Sequence, residues 1–137
     1  MTDQDSRLLR VLAVDDEAPA RAELAYLLDR DPRVGSVLTA GDGMEALRLL
    51  ETEQVDALFV DIRMPGLDGL DLARVLRRFA SPPAVVFVSA YDSHAVEAFD
   101  LRAVDYVMKP VREERLTEAV RRVDEARALA ATPAAAA

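Results

Sequence analysis

The sequence has no cysteine and no tryptophan, a single histidine, His94, and a single lysine, Lys109. Each scarcity closes a class of chemistry. Without thiols there are no disulfides, thiolate metal sites or cysteine nucleophiles. One imidazole excludes multi-histidine metal sites and leaves a Ser-His-Asp triad only with His94 as its base. No run approaches the roughly 18–20 apolar residues of a membrane span. Met1-Thr2-Asp3-Gln4-Asp5-Ser6 lacks the basic and apolar regions of a signal peptide, so a cytoplasmic protein with no membrane partner is expected. Basic residues are outnumbered 17 to 25, a net charge of −8. That balance speaks against a phosphate-binding face, and no nucleic acid is expected to bind this segment. Hydrophobic residues at 51% and charged residues at 31% over 137 residues are the balance of one globular domain.

Within that frame, short apolar runs alternate with amphipathic segments. Runs at Leu9 to Val14, Arg33 to Thr39, Val55 to Val60, Ala84 to Val88 and Val104 to Met108 predict five strands. Between them, helical spacing places Ala20, Leu24, Leu27 and Leu28 on one face, then Met44, Leu47 and Leu50, then Leu72, Ala73, Leu76 and Phe79. A shorter helix is expected from about Ser93 to Leu101, opened by a surface His94. A last helix starts near Glu113 and carries Leu116, Ala119, Val120 and Val123. Strands apolar on both faces belong to a parallel sheet covered by helices on both sides. Right-handed crossovers then favour an α/β, doubly wound, flavodoxin-like sheet of order 2-1-3-4-5.

In such a sheet ligands bind outside the carboxyl ends of the strands. Asp15 and Asp16 follow strand one, Asp61 ends strand three, Ser89 follows strand four and Lys109 ends strand five, so all five converge on one rim. Three close carboxylates repel one another unless a proton or a hard cation intervenes. An all-oxygen donor set suits Mg²⁺. A carboxylate can also attack a phosphoryl group, with an ammonium and a hydroxyl neutralising the charge on its oxygens. Taken singly, each aspartate reads equally as a turn or cap residue, and Asp16 before Pro19 as the cap of helix one.

These residues lie in motifs. Val11-Leu12-Ala13-Val14-Asp15-Asp16-Glu17, Asp61-Ile62-Arg63-Met64-Pro65-Gly66-Leu67-Asp68-Gly69, Val88-Ser89-Ala90 and Tyr106-Val107-Met108-Lys109-Pro110 follow one another over about residues 8 to 128. In that order they resemble the receiver domain of a two-component response regulator. The resemblance implies Asp61 as phosphoacceptor and Mg²⁺ held by Asp15, Asp16, Asp61 and the carbonyl of Arg63. It also implies Lys109 on the phosphoryl group, a cis Lys109–Pro110 peptide, and Ser89 with Tyr106 as a switch pair. Such a domain takes its phosphoryl group from a histidine kinase, turns over no external substrate, and toggles an output surface by dimerising. The stretch Ser89 to Phe99, with Tyr106 to Val111, is similar to the receivers of LytTR-type transcription regulators in particular. By that likeness a DNA-binding domain would follow the alanine-rich end.

The expected organisation is a flexible tail over 1–7, the receiver over 8–130, and a linker over 131–137. Three rival readings compete with this one. Gly41-Asp42-Gly43-Met44-Glu45-Ala46 fits a relaxed dinucleotide fingerprint, although Asp42 would set negative charge at the pyrophosphate and reads more simply as half of a capping box with Glu45. An aspartyl phosphatase would need an acid two residues after Asp61, where Arg63 stands. A pseudo-receiver that takes no phosphate would be expected to lack one of the five rim residues. Tyr91 and Arg63 border the site, where they either screen the aspartyl phosphate from water or, for Tyr91, only pack the loop, and Arg121, Arg122 and Arg127 form either an interface or a solvated face.

Overall fold

A computed structural model describes residues 7–131. Ten elements alternate along it: β1 (Leu9–Val14), α1 (Ala18–Asp29), β2 (Val34–Ala40), α2 (Gly43–Thr52), β3 (Ala57–Asp61), α3 (Gly69–Leu76), β4 (Ala84–Ser89), α4 (Ala95–Asp100), β5 (Asp105–Met108) and α5 (Glu113–Ala131). The strands form one parallel sheet in the order β2-β1-β3-β4-β5, as the sequence predicts. Among the described residues no helix is long and apolar enough to cross a membrane.

The doubly apolar strands explain the two cores. Side chains alternate across a pleated strand, so Leu9, Val11 and Ala13 of β1, Phe59 of β3, and Val86 and Val88 of β4 face one layer. There they meet Leu24 and Leu28 of α1 and Leu116, Ala119, Val120 and Val123 of α5. Leu12, Val14, Leu58, Val60 and Phe87 face the other layer, against Ala46 and Leu50 of α2, Leu72, Ala73 and Leu76 of α3, and Ala98 of α4. Phe59 and Phe87 are wholly buried on opposite faces, each contributing about 2 kcal/mol of apolar burial.

Several details depart from the sequence reading. Met44 is 51% exposed rather than inward, because α2 buries the face that carries Gly43, Ala46 and Leu50 and Met44 lies off that face. α3 stops at Leu76, so half-buried Phe79 lies in the turn beyond it. α4 is only six residues long and buries Ala98 alone. Arg7, assigned to a tail, forms a two-pronged ion pair with Asp56 at 2.8 and 2.6 Å. α5 continues to Ala131, one residue into the expected linker. The remainder of both expected tails, 1–6 and 132–137, lies outside the described residues.

The cap expected of Asp16 does not form: Glu17 is the N-cap of α1 and makes no side-chain cap. At α2, Asp42 accepts from the Glu45 N–H at 2.8 Å, while Glu45 reaches back to the Gly41 N–H at 2.8 Å. The G-x-G stretch is thus a capped helix start. Nor does it have room for a ligand backbone, since a Cβ on Gly43 would stand 2.2 Å from the Leu67 carbonyl oxygen. The three α5 arginines are engaged within the chain: Arg121 with Glu118 and Glu125, Arg122 with Asp105 and Glu118, Arg127 with Asp124 and the Arg7 carbonyl.

Candidate functional site

The carboxyl ends of β1, β3, β4 and β5 lie side by side, and the polar residues that stop the apolar runs meet there. Asp15, at the end of β1, is 1% exposed. Its Oδ1 accepts from the Glu17 N–H at 2.9 Å, and its carbonyl from Arg21 at 2.8 Å. Asp16 is exposed beside it. Asp61 is the last residue of β3 and is 9% exposed. One ligand oxygen from each of Asp15, Asp16 and Asp61 lies within 4.8 Å of the others.

Lys109 reaches across from β5. Its ammonium donates to Asp15 Oδ2 at 2.8 Å and to Asp61 Oδ2 at 3.2 Å. The following peptide, Lys109–Pro110, is cis. One cation therefore serves two buried carboxylates, and the balance shows in their acidity. Burial pushes the Asp61 carboxyl above its ordinary value; Lys109 opposes this, and the charge of Asp15 adds to it. Burial works against the charged form of Lys109 as well, but its contacts with Asp15 and Asp61 prevail and its pKa stands above the usual lysine value.

The loop after β3 explains why the site has its shape. Gly66 turns with φ +75°, a conformation in which an L side chain is strained. Asp68 then caps α3 in a reciprocal capping box with Asp71. Gly69 opens that helix hard against β3: a Cβ there would stand 2.4 Å from the Asp61 carbonyl oxygen. Glycine thus lets α3 start directly under Asp61. The Arg63 N–H donates to Asp61 Oδ1 at 3.3 Å.

On the other flank Tyr91 ties three residues together. Its N–H donates to Ser89 Oγ at 3.1 Å, its carbonyl accepts from the Tyr106 hydroxyl, and its ring lies 4.8 Å under the Arg63 guanidinium. Ser89 is fully buried. The Tyr106 ring packs 6.4 Å from that of Phe87. An open cavity of about 280 Å³ is lined by Asp16, Glu17, Asp61, Arg63, Ala90, Tyr91 and Lys109. Asp15 does not line this cavity but is joined to it through Lys109, and Ser89 and Tyr106 are joined to it through Tyr91. Glu17 and Ala90 line it without having been singled out in the sequence; their adjacency to Asp16 and Ser89 is the signal that was available.

Chemically, the arrangement offers one buried carboxylate reachable from an open cavity, with an ammonium at its side. The donor set is oxygen only, compact, and short of positive charge, which fits a small hard cation. His94 stands apart at the start of α4, its Nδ1 3.0 Å from Glu97.

Known proteins share this arrangement of sequence and fold. The chain is 40% identical over 130 residues to the transcriptional regulatory protein YpdB of Escherichia coli K12, covering 93% of this chain and 53% of that protein. It is 40% identical over 115 residues to the sensory transduction protein LytT of Bacillus cereus, covering 84% and 47%. The chain thus spans about half the length of these relatives. In three dimensions it resembles the crystal structure of the response regulatory domain of protein mrkE from Klebsiella pneumoniae. That match has a TM-score of 0.79 and 39% identity, covering 86% of this chain and 97% of that one. The family model of the response regulator receiver domain matches residues 11–121, spanning every element from β1 into α5. The chain belongs to the family of response regulator receiver domains.

Proposed function

We propose that this domain accepts a phosphoryl group on Asp61 and converts that event into a change of its surface. The observation that carries the reading is the buried, accessible Asp61 carboxylate, which shares the single Lys109 ammonium with Asp15 and has a ligand oxygen within 4.8 Å of those of Asp15 and Asp16. Receiver domains of response regulators are phosphorylated by histidine kinases, and the donor here is a separate kinase's phosphohistidine. An Asp61 Oδ attacks phosphorus, the P–N bond breaks as the O–P bond forms, and the imidazole leaves with a proton. Asp15, Asp16, Asp61 and the Arg63 carbonyl are the groups that would hold Mg²⁺. When bound, Mg²⁺ neutralises charge on the phosphoryl oxygens and on the acidic cluster. Lys109 supplies the second positive charge.

Ser89 and Tyr106 carry the readout. The Ser89 hydroxyl is an acceptor for the Tyr91 N–H, and a hydroxyl has a proton to donate to a phosphoryl oxygen. Drawing Ser89 toward Asp61 disturbs Tyr91, whose carbonyl holds the Tyr106 hydroxyl. A local charge event thereby reaches the face made by α4, β5 and α5. The site recycles by hydrolysis of its own phosphoryl group and processes no external substrate.

YpdB is named a transcriptional regulatory protein and LytT a sensory transduction protein. With the motif likeness above, these support a receiver of the LytTR type. In the same reading it is cytoplasmic, dimerises when phosphorylated, and controls transcription through a DNA-binding domain beyond residue 137. The test is intact mass measurement after incubation with acetyl phosphate and Mg²⁺. A single phosphoryl adduct, absent from Asp61→Asn, is expected. An adduct retained in that variant overturns the assignment, and no adduct from either acetyl phosphate or a phosphorylated kinase leaves a pseudo-receiver.

A further inference from the structure

A second cavity, of about 270 Å³, lies at the opposite end of the sheet. It is bounded by the end of α3, the Pro82–Pro83 segment and the turn from α4 into β5. Its walls are apolar, from Ala73, Leu76, the two prolines, Val85 and Leu101. Its polar lining consists of two arginines, Arg77 and Arg102, and no carboxylate lines it. Both arginines are exposed, and neither side chain has an ion-pair or hydrogen-bond partner among the described residues. Other arginines of this acidic chain, such as Arg33, Arg74 and Arg115, are held by carboxylates, whereas these two have their guanidinium groups available to an anion from outside.

The second observation is conformational. Arg102 has φ +62°, the only non-glycine residue at positive φ among those described. It occupies the left-handed position that ends α4: its N–H donates to the Phe99 carbonyl at 2.9 Å, and the Ala103 N–H to the Ala98 carbonyl at 3.1 Å. Glycine or asparagine is the ordinary residue there, because a Cβ clashes in that conformation. The sequence places arginine instead, against its backbone preference, on the rim of a cavity that already has Arg77 on its other side. Strain held at a rim of this kind points to use.

We propose that this cavity binds a small anion carried on an apolar body, a carboxylate or a phosphate monoester. Each guanidinium can offer a pair of parallel N–H groups to two oxygens of either anion, and the apolar walls take the remainder. A cavity of about 270 Å³ has room for a ring or short chain bearing one anionic group. The ligand bridges the end of α3 to the turn that carries α4 into β5. Bound, it fixes the short α4 against the sheet at the end remote from Asp61.

The test is a ¹⁵N NMR titration of the 137-residue chain with benzoate, phenyl phosphate, neutral benzamide and inorganic phosphate. Saturable shifts at the amides of Arg77, Leu101 and Arg102 are expected with benzoate or phenyl phosphate at millimolar concentration, and whichever of the two binds more tightly identifies the anion. Arg77→Gln with Arg102→Gln should weaken binding about tenfold or more, as expected for losing charged hydrogen bonds. Arg102→Gly keeps the fold and relieves the left-handed strain, so it should raise Tm while weakening binding. Benzamide binding as well as benzoate, inorganic phosphate matching phenyl phosphate, full affinity in the double variant, or no saturable shift would each overturn the proposal. None of these readouts depends on phosphorylation of Asp61.

Discussion

Asp61 and Asp105 are buried to the same degree, 9% and 8% exposed, yet their surroundings push them in opposite directions. Asp61 closes β3 and shares one ammonium with Asp15, so burial prevails and its carboxyl is held above the ordinary value. Asp105 opens β5. Burial pushes it up as well, but two guanidinium groups and a backbone N–H outweigh that and hold it below. Arg115 grips it at 2.8 and 2.7 Å, Arg122 at 3.2 Å, and the Tyr106 N–H at 2.8 Å. Depth alone therefore says little about what a carboxylate is for. A carboxylate with its acceptor sites filled is a fastening; one under-supplied with positive charge has capacity left for a cation or a phosphoryl group.

The largest expected difference is in labelling. Asp105→Asn should take up the phosphoryl adduct as the natural chain does, while Asp61→Asn takes up none, both read by intact mass. Stability should show the reverse. Asp105→Ala leaves Arg115 and Arg122 without their shared anion; with both arginines over a third exposed, the loss in urea unfolding should be about 2 kcal/mol. Asp61→Asn removes repulsion with Asp15 and should leave stability unchanged or raised. The pH dependence follows from the lowered pKa of Asp105. Its contribution is complete above the unfolded carboxylate range of about 4 and is lost as pH falls through its lower folded value. Asp105→Asn should therefore flatten the acid limb of a stability-against-pH curve, and an unchanged limb would remove the contrast.

A smaller effect is expected from metal. Millimolar Mg²⁺ should raise Tm by a few degrees in the natural chain and in Asp105→Asn, by relieving the acidic cluster, and by less in Asp61→Asn. No shift in the natural chain would count against the cluster as a cation site. Smallest of all is the screen over the cavity. Arg63→Ala frees the Tyr91 ring from a contact worth about 1 kcal/mol. The adduct should then hydrolyse faster by about fivefold at most, followed as loss of the mass increment with time.

Asp61 was legible in the sequence and Asp105 was not, for a physical reason. Asp61 stops an apolar run in a parallel sheet, and the carboxyl ends of such strands are where a ligand is expected. Asp105 sits at the start of its strand, and its partners come 10 and 17 residues later on α5. Only the tertiary fold joins them, although an aspartate inside the run Ala103-Val104-Asp105-Tyr106-Val107 was a sign that a cation waits nearby. The sheet order could be read because both faces of β1, β3 and β4 are apolar. The inward face of α2 could not be read reliably: three apolar residues at helical spacing fit it as well as the face used, and Met44 went to solvent. The Tyr91 joint depends on backbone groups, which the sequence does not display.

The shortness of α4 carries a consequence for how the molecule breathes. Val96 and Phe99 are 72% and 81% exposed, and Ala98 is the one side chain the helix buries. α5, by contrast, buries Leu116, Ala119, Val120 and Val123 over nineteen residues. Opening α4 sacrifices a few backbone hydrogen bonds and one methyl contact, whereas opening α5 exposes a core. Stability is therefore unevenly distributed, and the first cooperative unit to yield is the one beside the switch. A phosphoryl group needs only modest energy to redirect a segment so loosely fastened, and the rest of the domain remains a fixed frame while it does so.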